Sequence, residues 1–280
     1  VISTVLAAAI LLSSSDSNVG LTTEEIDGGA RTSLWSRETA KKEHIEGLKR
    51  AAASGAKTGP SYEYKTEPRC GNASVDAAPC TAAAAGPCPS AIAALNVFRR
   101  QVNPTGAWEQ VGIACNSTEV PATREPGMAD IIRAFHDTNF TVPTMKLDPR
   151  GNRTLVNLPT YAEVTWPVTG FKPEEIDTRT LPEFPGYTIQ IKPTLSALTY
   201  HFGDGATAGP TTSLGGPHPT GDIVHTYTSP ANFHTRVDVT YAGFFRFDDG
   251  DWIPIPDTVD ITGTPTPLTV VEARSQLVLE

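Results

Sequence analysis

The sequence predicts a mainly β protein, with an antiparallel β-sandwich in the C-terminal half behind a mixed helical, disulfide-containing N-terminal region. Three observations carry this. From about Phe140 onward, short runs of alternating apolar and polar residues follow one another, with Gly, Pro or Asp between them. The chain contains 23 Gly and 24 Pro against 22 Lys plus Arg, a composition that suits turn-rich β structure with long loops. The run YHFGDG at 200–205 takes an alternating strand into a tight Gly-Asp-Gly turn, and VHTY at 224–227 and HTRVDVTY at 234–241 restart the pattern.

The 280 residues hold one large or two ordinary domains. Four segments are expected: 1–15 as a signal remnant, 16–60 as a flexible N-terminus and helix, 61–136 as a cysteine-containing region with short helices, and 137–280 as the sandwich. Residues 1–12 (VISTVLAAAILL) are too short to span a bilayer and match the hydrophobic region of a secretory signal. A buried N-terminal element and a membrane anchor are the competing readings. The signal reading predicts export, with no stable membrane insertion after removal.

Residues 36–53 form the clearest long helix candidate, with Trp35, Ile45, Leu48 and Ala52 giving a narrow apolar stripe and mixed charges elsewhere. This pattern predicts a solvated helix packed loosely on the sandwich. Residues 54–60 read as a linker. Cys70, Cys80, Cys88 and Cys115 follow at spacings that fit neither metal knuckles nor a thioredoxin-like pair. In an exported chain they read as a disulfide framework. Three pairings are open; Cys70–Cys115 with Cys80–Cys88 is the favoured one. Residues 90–100, with Ile92, Leu95 and Phe98, read as a short helix after Pro89. A second short helix is expected over 127–135, with Met128, Ile131, Ile132 and Phe135 inward.

The strand candidates are 142–149, 153–168, 187–193, 195–205, 222–227, 234–247, 251–263 and 267–277. Pro254 and Pro256 demote 251–263 to an edge strand or strand entry.

The β half resembles the PKD family of immunoglobulin-like extracellular domains. Tyr200-His201-Phe202-Gly203-Asp204-Gly205 is similar to that family's W-x-F-G-D-G, and Val224-His225-Thr226-Tyr227 to its V-x-H-x-Y. Residues 236–240 are similar to its closing strand. The likeness covers roughly 185–265, and Pro230-Ala231-Asn232-Phe233 lacks the glycine that usually follows H-x-Y. More broadly, the chain resembles secreted actinobacterial proteins of unknown function in which a Leu-Val-Asn-Leu-Pro-Thr segment, here 155–160, precedes a PKD-like domain. The resemblance implies an immunoglobulin-like sandwich serving as a spacer or adhesion module.

The residues themselves support structural roles. Gly203 and Gly205 give backbone freedom at the turn, and Asp204 is placed to accept from the amides ahead of it. His225 would support the turn by a hydrogen bond, while Tyr227 would bury its ring and tie its hydroxyl to a loop. His201 reads as a solvated alternating residue.

Other chemistry is weaker. His201, His218, His225 and His234 lie close in sequence with Asp204 and Asp222, but nothing forces them to converge as zinc ligands. Asp248, Asp249 and Asp251 form a weak calcium candidate, against which a plain Asp-Gly hairpin competes. No nucleophile elbow, HExxH, P-loop or dinucleotide glycine pattern occurs, and no catalytic residue or cofactor is nominated. The net charge of −9, without a basic cluster, argues against nucleic-acid binding. Phe244, Phe245 and Trp252 form a candidate binding face, because strict alternation leaves one of two adjacent phenylalanines pointing outward. The sequence therefore reads as a non-catalytic secreted or cell-surface spacer or adhesion module, contacting a cell-envelope protein or polysaccharide. The alternative is a carbohydrate-binding accessory domain or subunit of an extracellular hydrolase.

Overall fold

The computed structural model describes residues 34–69, 88, 94–122 and 124–273. The expected signal segment, the N-terminal stretch expected to be flexible as far as residue 33, Cys70, Cys80 and residues 274–280 lie outside these residues. Two compact units interleave along the chain: one takes the described residues up to Glu43, Tyr64–Arg100 and Ala107–Ala122, the other His44–Glu63, Gln101–Gly106 and the described residues from 124 onward. The unit boundaries therefore do not follow the expected segment boundaries at 60 and 136.

β1 (Tyr62–Pro68), β2 (Leu95–Gln101) and β3 (Glu109–Ala114) form a sheet in that order, all but Tyr62, Glu63 and Gln101 belonging to the first unit. The helix expected over 90–100 is corrected here, since the described residues from Leu95 onward form strand β2. Val97 is fully buried, and its strand pairs antiparallel with β3. Three apolar residues at intervals of three fit a helix, but pairing with β3 overrides that local pattern. Trp35, Ala40, Val97, Ala114 and Val120 make this unit's core. Cys88 is joined to Cys115 by a disulfide, which overturns the favoured pairing of both cysteines. Cys115 directly follows β3, which places it within reach of Cys88 beside Ala94 and Ile113.

Helix α1 (Arg37–Ala53) forms where the sequence predicts it, one residue shorter at its start. Its burial exceeds the expectation of loose packing: His44 and Leu48 are fully buried and Ala52 nearly so. In the second unit α2 (Met128–His136) turns Met128, Ile131 and Phe135 into the core. The Gly127 amide donates to Asp130 Oδ2 at 2.9 Å, satisfying an N-terminal helix donor.

Eleven further strands follow: β4 (Thr144–Asp148), β5 (Arg153–Leu155), β6 (Pro159–Thr165), β7 (Asp177–Thr180), β8 (Thr188–His201), β9 (Thr207–Thr211), β10 (Val224–Thr226), β11 (Ala231–Phe247), β12 (Ile253–Pro254), β13 (Val259–Ile261) and β14 (Thr266–Val271). One sheet has the order β10-β6-β4; the other runs β5-β14-β11-β8-β7, with β12 and β13 on β11 and β9 on β8. The eight-stranded sheet curls without closing. Its inward residues, including Ile189, Ile191, Tyr200, Val237, Val239 and Tyr241, share one core with Met145 and Leu147 of β4 and Ala162 and Val164 of β6. The arrangement is a mixed α/β fold, β-rich and sandwich-like.

Two strands expected separately, 187–193 and 195–205, are one strand through 201. In the pairing of β8 with β11, Tyr241 faces Leu195 and Thr240 faces Ala197, so Ser196 is an extra residue. Ile189 and Ile191 point inward before this bulge, and Leu198 and Tyr200 after it. The side-chain alternation changes phase at the bulge, which makes one strand look like two. The long loop expected over 206–221 contains β9.

Candidate functional site

At the end of β8 the chain turns through Phe202, Gly203, Asp204 and Gly205. Gly203 has φ +87° and Gly205 φ +96°, both in the left-handed region that glycine enters most readily. Gly203 is also crowded: a β-carbon there would lie 2.9 Å from the His234 carbonyl oxygen. Phe202 N–H donates to the Ala206 carbonyl at 3.1 Å, and Ala206 N–H donates to Asp204 Oδ1 at 3.0 Å.

Strand β10 brings His225 to the same turn. His225 Nε2 lies 2.7 Å from Asp204 Oδ2, and its ring stacks on Phe202 at 4.3 Å between centroids. Partial burial raises the proton affinity of Asp204, but the bonds from His225 and the Ala206 amide outweigh it, holding the carboxyl below the usual carboxylate range. Tyr227, fully buried, donates its hydroxyl to the Phe202 carbonyl at 2.9 Å. Burial pushes that phenol's pKa well up. Tyr227 also stacks on Phe233 at 4.9 Å. The side-chain bonds tie β10 to the turn that follows β8, and the Tyr227–Phe233 ring contact adds β11. His201 instead lies 2.9 Å from Asp238, so it is a paired residue rather than simply a solvated one.

The four histidines do not converge. His201 meets Asp238, His225 meets Asp204, and His218 lies edge-on to Tyr161 at 5.2 Å. His234 is in β11 opposite Pro267. Among the described residues no group of three or more His, Cys, Asp or Glu is arranged to hold a metal ion. At the calcium candidate, Asp248 has φ 51°, its amide donates to the Thr188 carbonyl, and Asp251 meets Lys49 at 3.1 Å. Asp249 is exposed.

Alternation divides the candidate binding face. Phe245 points into the core with no exposed surface, so it is removed from the face. Tyr241 and Phe247, an even number of residues away, point the same way. Phe244 and Trp252 remain half-buried on the outward side. Lys192 lies over both rings, 5.5 Å from the Phe244 centroid and 5.2 Å from that of Trp252, and the Arg246 guanidinium lies 4.6 Å from Trp252.

A buried polar cluster was not anticipated from the sequence. His44 and Glu125 are 0% and 1% exposed, with His44 Nδ1 3.5 Å from Glu125 Oε2. His44 Nε2 lies 2.9 Å from the Pro126 carbonyl, which only accepts, so this nitrogen carries a hydrogen. Tyr187 donates to Glu125 Oε1 at 3.2 Å, and Ser61 donates to the Glu125 carbonyl at 2.6 Å. The available signal was spacing: Ala40, His44, Leu48 and Ala52 recur every four residues on α1.

Beside α2, a surface cavity of about 340 Å³ is lined by residues including Asp130, Arg133, Asp137, Arg179 and Glu183. Its charged groups are largely engaged with one another: Arg133 meets Asp130 and Glu183, while Arg179 meets Asp177. No helix among the described residues is long and apolar enough to cross a membrane. No family model, curated protein or solved structure matches the chain.

Proposed function

We propose that the chain is a secreted or cell-surface module that acts by contact, as a spacer or adhesion unit, without turning over a substrate. In this reading its second unit is a PKD-like, immunoglobulin-like sandwich from a secreted actinobacterial protein. The observation that supports it is the use made of the motif residues. The Asp204 oxygens, His225 Nε2 and the Tyr227 hydroxyl are all directed at the fold, tying β10 to the turn that follows β8. This agrees with the structural roles expected in a PKD-like turn. The apolar run at 1–12 and the Cys88–Cys115 disulfide support export into an oxidising environment.

A second reading, carbohydrate binding as an accessory module of an extracellular hydrolase, draws support from the half-buried outward rings of Phe244 and Trp252. Co-sedimentation of the purified, oxidised protein with native cell walls and insoluble polysaccharides tests the contact function. Saturable retention supports it. Absence of retention on every matrix sinks the wall- and glycan-binding forms for those ligands.

A further inference from the structure

On the outward side of the long β8–β11 pair, Lys192 stands opposite Phe244 and Gln190 opposite Arg246. Pro254 of β12 flanks Phe244 on the other side, which brings Trp252 beside the same rows. The result is a half-buried patch of two aromatic rings, two cations and an amide on a sheet face.

Arg246 is the informative member. Arg124, Arg133, Arg179 and Arg236 each meet a carboxylate of this protein. Arg246 is instead held by a neutral amide, its Nε donating to Gln190 Oε1 at 2.7 Å, and by the Trp252 ring. Among the described residues no carboxylate pairs with it, although the whole chain carries a net charge of −9. Its orientation is set from one edge, and a guanidinium bound through Nε keeps two terminal nitrogens that match the geometry of a planar carboxylate. Lys192 adds a second cation over the same rings. Glu174 lies 3.5 Å from Lys192 but is 67% exposed, so giving up that pair costs little.

We propose that this face binds a carboxylated polysaccharide, a polymer of uronic acids. A sugar carboxylate would meet the terminal nitrogens of Arg246 and the Lys192 ammonium, while the apolar face of the pyranose ring packs against the accessible parts of Phe244 and Trp252. The combination favours a uronate, because the charged group and the ring that stacks belong to the same residue of the polymer. This rests on the contact reading above and names the partner of that surface.

The test is titration calorimetry of the full oxidised chain with polygalacturonate and with dextran as a neutral control, at low and raised sodium chloride. Saturable polygalacturonate binding that weakens with salt, with little dextran binding, is expected. Arg246→Gln and Trp252→Ala should each weaken it by about ten-fold. Lys192→Gln provides the same reading if either variant lowers the unfolding midpoint. Polygalacturonate affinity unchanged in the folded variants, equal affinity for dextran, or no polygalacturonate binding at all would overturn the proposal. Retention on native cell walls without polygalacturonate binding removes the uronate assignment and leaves the contact function standing; loss of both removes the uronate assignment together with the wall- and glycan-binding forms of the contact function.

Discussion

Asp204 accepts a hydrogen bond from the Ala206 amide and faces the His225 ring at 2.7 Å, so its charged form is favoured in the folded chain. Its folded pKa lies below that of an unfolded aspartate, about 3.9. The stability it contributes is therefore fully present above that value and is lost as pH falls through the lower folded one. Asp204→Asn should cost about 1–2 kcal/mol at pH 7, with the gap to the parent chain narrowing below pH ~4. Urea unfolding at a series of pH values measures this; a constant gap down to pH ~3 would refute the assigned role. This turn was legible in the sequence because glycine, aspartate, histidine and tyrosine each have a distinct local chemistry. The phenylalanine pair was only half legible. Alternation shows that Phe244 and Phe245 point to opposite sides, but only their position relative to Tyr241 and Phe247 in the folded sheet decides which is buried.

Among the elements, β11 shows how close packing constrains composition. Gly243 faces α2, and a β-carbon there would come within 2.7 Å of Phe135 Cε2 and 3.3 Å of the Lys192 carbonyl oxygen. Gly243→Ala should destabilise the protein by about 1–3 kcal/mol by forcing the ring or the strand aside. Thermal unfolding compared with Ala242→Gly, a neighbour on the outward side, checks that the cost is steric. Helices α1 and α2 were readable because their apolar residues repeat with helical spacing over long enough runs. Strand β2 was not, since Leu95 and Phe98 fit a helix locally and its partner β3 lies across a turn. The long β8 was hidden by the bulge at Ser196: the alternation changes phase there, which reads as a strand end, and only the unbroken pairing with β11 shows that the strand continues.

At the scale of the whole molecule, the two units exchange segments along the chain, so composition gave no boundary to read. His44–Glu63 and Gln101–Gly106 belong with the C-terminal strands because of what they pack against, which no linker marks. The disulfide belongs to the first unit alone. Replacing Cys88 and Cys115 together by serine opens a loop closed across a sequence separation of 27 and should cost that unit about 3.5 kcal/mol. The second unit's near-ultraviolet aromatic signal and unfolding midpoint should stay unchanged, which differential scanning calorimetry with circular dichroism resolves.

Strand β11 spans 17 residues and pairs along its length with β8, β12, β13 and β14. Opening any neighbour leaves its inner stretch bonded on another edge or sealed beneath the core, so its amides should be released only when the unit as a whole comes apart. In deuterated buffer, Val237 to Phe245 should be the last peptide of the second unit to gain mass, while the short edge strand β7 exchanges early. If both peptides took up deuterium together, the unit would behave as a single cooperative block; the staggered order instead marks β11 as the clock against which every partial opening of the sheet can be timed.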